Sequence, residues 1–163
     1  MNKKWISIII LVIGAFIAFY FYNKYNSAPT IDFNKLSLSD LDGKPVKFSD
    51  FKGKKLIVGF SASWCPNCLE EMREINAIKD KELSDVEVVI ISDEPLETIV
   101  AWKERKGYPF TYLMLNAGFN DIGIFSIPTS YVVNTKLEVK KETVGYIDWK
   151  DASTVEHLKK LME

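Results

Sequence analysis

The sequence predicts an α/β domain of three layers, with a mixed central sheet that starts with a β-hairpin, and one apolar helix in front of it. Two observations lead to this class. Short apolar runs that suit buried strands alternate with segments whose apolar residues recur every three or four positions, as in amphipathic helices. The chain also has only 163 residues, enough for one such domain once the apolar N-terminal stretch is set aside.

The N-terminal stretch from Trp5 to Tyr22 contains eighteen residues and no charge. That length is close to the minimum for a helix that crosses a bilayer, and aromatic residues near both ends suit the two interfaces. Lys3 and Lys4 in front of the stretch favour a cytoplasmic N-terminus. We therefore expect a single-pass transmembrane helix that places the rest of the chain outside the cytoplasm.

A short tether, Ser27-Ala28-Pro29, follows this helix. Residues 1–27 are therefore expected to form the anchor and residues 28–163 one folded domain, with a signal peptide cleaved near Ala28 as the alternative. Residues 1–27 hold three of the 21 basic residues and none of the 22 acidic ones, which leaves the domain a formal charge of −4. A domain of this charge is not expected to bind nucleic acid.

Turn and capping residues divide the domain into elements. Asp42-Gly43 predicts a hairpin turn, Pro95 and Gly107 bound a helix, and Asp151 caps the last helix. The expected elements are a hairpin over 36–38 and 46–48, strands over 55–61, 86–91, 110–115, 129–133 and 139–146, and helices over 66–80, 95–107 and after 151.

Cys65 and Cys68 are the only cysteines of the chain, and they lie three residues apart. A structural disulfide framework spreads cysteines along a chain to close long loops, and a structural zinc site needs further ligands. A pair at this spacing can instead cycle between a dithiol and a disulfide. The alternative is a small buried pair without chemistry.

The position of the pair favours the chemical interpretation. It follows an apolar strand and opens an amphipathic helix, and Pro66 suits the first helical turn. Unpaired N–H groups and the positive end of the helix dipole stabilise a thiolate there. Cys65 is therefore expected to be the exposed nucleophile, and Cys68, one turn further in, the residue that resolves a mixed disulfide.

Two motifs resemble the thioredoxin fold: Trp64-Cys65-Pro66-Asn67-Cys68 after the first central strand, and Ile127-Pro128-Thr129 just before a later strand, which resembles the cis-proline loop of that fold. The anchor, the leading hairpin and the helix-containing stretch between Asp93 and Phe110 resemble the TlpA/ResA group of membrane-anchored, thioredoxin-fold thiol–disulfide oxidoreductases. The resemblance covers about residues 33–161. It implies a thioredoxin-like fold and a redox-active disulfide between the two cysteines.

The resemblance also implies a substrate-binding surface around the disulfide. Pro128 would be cis and close to the sulfur of Cys65, and the backbone of Ile127 would pair with a substrate segment. The residues implied to meet substrate are Trp64, Pro66, Asn67, Ile127, Pro128 and Thr129. An ordinary trans proline at 128 and a tryptophan that serves only packing at 64 are the alternatives.

The sequence departs from this group and from the thioredoxins at three places. Gly59 replaces the buried aspartate of thioredoxins. Glu71, three residues after Cys68, matches a glutamate of ResA-like proteins and is expected to accept a proton from Cys68 or to tune the pKa of Cys68. A solvated surface glutamate is the alternative. Arg73 replaces a kinking proline, so the helix is expected to run straighter. Asn67 is neutral and stabilises a thiolate less than a histidine would.

The combined prediction is an extracytoplasmic thiol–disulfide oxidoreductase that reduces protein disulfides and is recharged by a membrane-embedded thiol reductant. We expect no cofactor, because the sequence contains no nucleotide-binding glycine motif, and no metal, because His157 is the only histidine. Two alternatives remain. One is a peroxide-reducing enzyme, although Ala62 stands where that chemistry expects threonine or serine. The other is a redox-linked binding or sensor protein without catalysis.

Overall fold

A computed structural model describes residues 3–163. Its helices are α1 (Lys3–Asn26), α2 (Pro66–Ile78), α3 (Leu96–Lys106) and α4 (Ala152–Leu161). Its strands are β1 (Leu38–Ser39), β2 (Pro45–Val46), β3 (Lys55–Phe60), β4 (Val86–Ser92), β5 (Thr111–Leu115), β6 (Thr129–Val133) and β7 (Val139–Val144). Three 3₁₀ turns, over Phe33–Lys35, Phe48–Phe51 and Phe119–Ile122, complete the described elements.

The seven strands form one sheet in the order β2-β1-β5-β4-β3-β6-β7. The strand pairs β3–β4 and β4–β5 are parallel, and every other pair is antiparallel. The sheet is therefore mixed, as the sequence predicts. β3 lies between β4 and β6, so the cysteine motif follows a strand that has neighbours on both sides.

The three helices of the domain pack on one face of this sheet. The two parallel connections, β3-α2-β4 and β4-α3-β5, both step in the same direction across the sheet, and right-handed crossovers then place both helices on the same side. The buried cluster on that face contains Met72 and Ile75 of α2, Trp102 of α3 and Leu158 of α4. This packing holds α2 against the strands that flank the cysteines.

The other face is covered by the 3₁₀ turns and by the segment after α1. Phe33 and Phe48 stack with ring centroids 4.4 Å apart, and Phe33 meets Tyr131 edge-on at 5.3 Å. Buried aromatic pairs of this kind add about 1 kcal/mol each beyond the area they bury. The layers are therefore α-helices, a mixed sheet, and a layer of 3₁₀ turns.

Several element boundaries differ from the prediction. The hairpin strands are only two residues long, and Phe48, expected in the second of them, belongs to a 3₁₀ turn. β7 stops at Val144 instead of continuing to Tyr146, because Gly145 follows with a φ of +90°. α2 runs without interruption past Arg73, as expected for a helix without the kinking proline.

The described residues contain one helix that is long and apolar enough to cross a membrane, with a window over Ile8–Tyr25 of mean hydropathy 1.7. No residue of this window is buried. The finding concerns length and composition, which a signal sequence can share. The side chains of Lys3 and Lys4, on which the expected orientation depends, lie outside the described part of the chain.

Candidate active site

Cys65 and Cys68 are joined by a disulfide at the start of α2, with Cα atoms 5.3 Å apart. Cys65 is the N-cap residue of α2, Pro66 is the first helical residue, and the N–H of Cys68 donates to the Cys65 sulfur at 3.2 Å. Both sulfurs therefore lie where α2 presents unpaired N–H groups. After reduction, the same N–H groups stabilise a thiolate at Cys65.

The disulfide is less accessible than the sequence analysis expected. Cys65 is only 4 % exposed and Cys68 is fully buried. The expectation of an openly exposed Cys65 is therefore wrong for the oxidised protein, because Ala62 and Ile127 pack in one cluster with the two cysteines. Cys65 is still the more accessible of the pair, and a partner has to approach it from the outer side.

The outer side of the motif is strongly exposed. Trp64 is 71 % exposed, and Pro66 and Asn67 are also exposed. A tryptophan with this exposure does not pack in a core, so the packing alternative for Trp64 fails. The three residues form an exposed rim next to the disulfide.

A loop before β6 lies across from this rim. The Ile127–Pro128 bond is cis, as the resemblance implies, and the carbonyl oxygen of Ile127 lies 3.9 Å from the Cys65 sulfur. Thr129 is buried, and its hydroxyl donates to the carbonyl of Ser126 at 2.7 Å. Thr129 therefore holds the loop in shape, and its side chain does not face a substrate as the sequence analysis expected.

Glu71 is buried, with 3 % of its surface exposed. Its carboxylate accepts hydrogen bonds from the Ser130 hydroxyl at 3.0 Å, the Ile147 N–H at 3.3 Å and the Trp149 indole N–H at 3.3 Å. Burial raises the pKa of Glu71 to about 7, although the hydrogen bonds oppose that change. The structure therefore does not place Glu71 on the solvated surface of α2.

Cys68 and Glu71 line one small cavity between α2 and the sheet, together with Gly59, Ser61 and Ser130. The cavity measures about 10 Å³, roughly what one water molecule needs. Its lining is mostly apolar, with Met72, Ile75 and Ile90 beside the polar residues Ser61, Glu71 and Ser130. The cavity therefore brings Cys68 and Glu71 to the same space between α2 and the sheet.

A second carboxylate fixes the loop in front of the cysteines. Glu94, just after β4, accepts hydrogen bonds from the Ser63 N–H at 2.6 Å and the Ser63 hydroxyl at 2.7 Å. The Ser92 hydroxyl donates to the same carboxylate at 3.1 Å. These bonds position the residue directly before Trp64, and so they orient the exposed rim.

The end of α1 contacts the domain close to the cis-proline loop. The Lys24 ammonium lies 4.3 Å from the centroid of the Phe125 ring, and the ring of Tyr25 meets it edge-on at 6.2 Å. Phe125 comes two residues before Ile127. The carbonyl of Pro29 then accepts a hydrogen bond from the Tyr131 hydroxyl at 2.8 Å, so the tether also lies against the domain.

Sequence reasoning missed several residues of this site. Glu74 lies one helical turn after Glu71 and is also buried, a position that the three-residue spacing from Cys68 through Glu71 could have indicated. Trp149 and Ser130 come from distant parts of the chain. No local pattern connects them to the cysteines, so only the fold brings them together.

Comparison with known proteins agrees with this geometry. The sequence pattern of the Redoxin family matches residues 24–159. The chain belongs to the Redoxin family. It is a thioredoxin-like thiol–disulfide oxidoreductase of the ResA-related type, with Cys65 and Cys68 as its cysteine pair.

Three similar proteins illustrate the relationship. The thioredoxin-like protein YneN of Bacillus subtilis is 26 % identical over 93 % of this chain and 95 % of its own length. The thiol–disulfide oxidoreductase ResA of Bacillus cereus is 29 % identical over 85 % of each chain. A crystal structure of a putative thiol:disulfide interchange protein DsbE from Chlorobium tepidum superposes with a TM-score of 0.66 at 19 % identity, over 82 % of this chain and all of that one, which supports the fold.

Proposed function

We propose that this Redoxin-family protein reduces disulfides of other proteins on the outer side of a membrane, through a cycle of the Cys65–Cys68 pair. The observation that carries the proposal is the position of that pair. Cys65 caps the start of α2 and faces the carbonyl of Ile127 at 3.9 Å. A sulfur placed there is stabilised as a thiolate and has one open approach.

The reaction proceeds in two displacements. The Cys65 thiolate attacks one sulfur of the substrate disulfide, that S–S bond breaks, and a substrate thiolate leaves. The Cys68 thiol then loses its proton and attacks the Cys65 sulfur. The mixed disulfide breaks, the second substrate thiolate leaves, and the Cys65–Cys68 disulfide forms. Two electrons have then passed from the protein to its substrate.

Glu71 takes part in the second displacement as the proton acceptor. Cys68 is fully buried, so its thiol has no contact with bulk solvent. Glu71 lines the same cavity, and its pKa of about 7 lets it accept a proton near neutral pH and release it again. The proton leaves later with a released substrate thiolate or with solvent.

Substrate recognition is assigned to the surface around the disulfide. Trp64, Pro66 and Asn67 offer an exposed rim, and Ile127 with the cis Pro128 forms the facing wall. A peptide that lies between them can hydrogen-bond to the backbone of Ile127 as an added strand would. Its specificity then depends on side chains that fit beside Trp64.

The proposed location follows from α1. The apolar window over Ile8–Tyr25 crosses the membrane once, with the N-terminus in the cytoplasm and residues 28–163 outside. Oxidised protein accumulates there after each turnover, so a second thiol must reduce the Cys65–Cys68 disulfide. A membrane-embedded thiol reductant is the proposed donor.

Reduction of insulin by the full-length chain in detergent, with dithiothreitol as the electron donor, tests the activity. Turnover above the rate of dithiothreitol alone, lost in Cys65→Ser, supports the proposal. Binding of insulin without turnover would instead support a redox-linked binding protein. Protease accessibility of residues 28–163 in sealed membrane vesicles tests the orientation separately.

A further inference from the structure

A second buried carboxylate lies one turn beyond Glu71 on the same face of α2. The side chain of Glu74 is 1 % exposed. Its carboxylate accepts a hydrogen bond from the Trp149 N–H at 3.2 Å and forms an ion pair with the Lys150 ammonium. Lys150 itself is 63 % exposed, so this ion pair connects the buried carboxylate with solvent.

Trp149 joins the two carboxylates. Its indole N–H donates to Glu71, while its backbone N–H donates to Glu74. The loop between β7 and α4 thus places one residue between the two negative groups. Two carboxylates held this close influence each other's protonation, since ionisation of one disfavours ionisation of the other.

We propose that the Glu74–Lys150 ion pair sets the pH at which Glu71 exchanges its proton with Cys68, so that Glu74 is a positioning residue for disulfide exchange. The inference rests on the proposed proton transfer between Cys68 and Glu71. Glu74 touches neither the disulfide nor a substrate. It acts through its charge and through the loop that it shares with Glu71.

The charges support this role. Burial pushes the pKa of Glu74 upward, but Lys150, the Tyr146 hydroxyl and the Trp149 N–H outweigh it and hold the pKa below its usual value. Glu74 therefore stays ionised near neutral pH, and its negative charge is one of the causes that raise the pKa of Glu71. Lys150 lowers the pKa of Glu74 and so compensates the negative charge that Glu74 presents to Glu71.

The other titratable groups around the pair do not replace it. Glu70 and Arg73, on the exposed side of α2, form an ion pair with each other at 2.5 Å, and Glu70 is also 3.6 Å from the Lys150 ammonium. Tyr146 and Asp148 face the pair from the loop, and Tyr108 faces Arg73 from the connection between α3 and β5. Of these groups, Lys150 is the cation that pairs with the buried Glu74, and the Tyr146 hydroxyl hydrogen-bonds to the same carboxylate.

Opposite changes in two variants test the proposal. Glu74→Gln keeps an oxygen for the Trp149 N–H but removes the negative charge, so Glu71 deprotonates at lower pH. Lys150→Gln removes the cation that compensates the charge of Glu74. Whichever of Glu71 and Glu74 loses its proton second should then do so at higher pH. We expect each midpoint to move by about half a pH unit or more.

The measurement is an infrared titration of the protonated-carboxyl C=O band in the oxidised full-length protein, in detergent, with the band assigned by its loss in Glu71→Gln. Glu156→Gln and Lys160→Gln are matched controls, because they remove the members of an exposed ion pair on α4, and neither should move the midpoint. An unchanged midpoint in either test variant, or shifts of the same sign, overturns the proposal.

The titration is independent of the activity. The oxidised protein contains no thiol that titrates, so the midpoint reports on the carboxyls alone. If the wild-type protein fails to reduce insulin but the two midpoints move apart, the proposed function fails and the charge coupling stands. If insulin is reduced, the same opposite shifts are expected in the pH–rate profiles of the two variants.

Discussion

Gly59 and Glu71 line the same cavity beside Cys68, one from β3 and the other from α2. A Cβ at Gly59 would come no closer than 3.6 Å to Ile90 and Ser61, so the strand leaves room at this point. The carboxylate that faces the cavity is supplied by the helix instead of the strand. The acidic group near the buried thiol of Cys68 thus comes from position 71 on α2, and position 59 on β3 supplies none. Variants at Glu71 should therefore change the chemistry of that thiol.

The order of the two displacements predicts which cysteine traps substrate. Cys68→Ala should accumulate mixed disulfides with substrate, because Cys65 still attacks and nothing resolves the product. Cys65→Ala should accumulate none, because Cys68 is fully buried. Non-reducing gel electrophoresis of the two variants after incubation with native insulin checks this. Reduced and alkylated insulin, which has no disulfide to attack, is the control. Equal trapping by both variants would contradict the assignment of Cys65 as nucleophile.

Glu71→Gln should change the pH dependence of insulin reduction. In the wild-type protein the rate of the resolving step should rise with pH through the Glu71 pKa of about 7, since only the carboxylate accepts the Cys68 proton. The glutamine variant should lack that inflection and turn over more slowly at pH 7. Glu156→Gln serves as the control, and a wild-type profile in Glu71→Gln would remove Glu71 from the proton path.

The same carboxyl should make the oxidised protein less stable as the pH rises. The pKa of Glu71 rises from 4.5 to about 7 on folding, so its contribution is complete below about pH 4.5 and is lost as the pH rises through 7. The difference amounts to up to about 3 kcal/mol. Glu71→Gln should therefore gain stability relative to wild type between pH 5 and 8, measured by urea unfolding of the full chain in detergent. A constant difference across that range would contradict this prediction.

Trp64→Ala should separate substrate recognition from redox chemistry. The side chain is 71 % exposed, so its loss should change the free energy of unfolding by no more than about 0.5 kcal/mol. The KM for insulin should rise, while the rate with a small disulfide such as oxidised glutathione should stay the same. Val139→Ala, at an exposed apolar residue on β7, is the control, and an unchanged KM for Trp64→Ala would exclude the rim from recognition.

The midpoint potential of the Cys65–Cys68 pair should lie near that of thioredoxin, about −270 mV, rather than near the strong oxidant DsbA at about −120 mV. A stable thiolate makes a pair oxidising, and here Asn67 brings no positive charge while Glu71, once ionised, opposes the thiolate. Equilibration with glutathione buffers of known ratio gives the value. A midpoint above about −180 mV would reverse the proposed direction of electron flow.

The sequence contained enough to predict the fold and the sulfur chemistry but not the surroundings of Glu71. Cys65, Pro66 and Cys68 act through the local start of a helix, and the apolar runs around them define the central strands. The burial of Glu71 depends on Ile147 and Trp149, which lie more than seventy residues further along the chain. The resemblance to the thioredoxin fold implies a place for Thr129 at the substrate surface, whereas the side chain is buried in β6, which pairs with β3.

Cys68, Glu71 and Glu74 share one face of a single thirteen-residue helix. A small movement of α2 against the sheet therefore moves the Cys68 sulfur and both carboxyl groups together. The distances among these three groups then stay the same. The weak point lies elsewhere, in the segment between β7 and α4 that donates to both acids. If α4 detached from the domain, that segment would lift, water would reach Glu71, and the buried acid would become an ordinary surface glutamate. The docking of α4 on the domain therefore maintains the burial of Glu71, on which the proposed proton transfer from Cys68 depends.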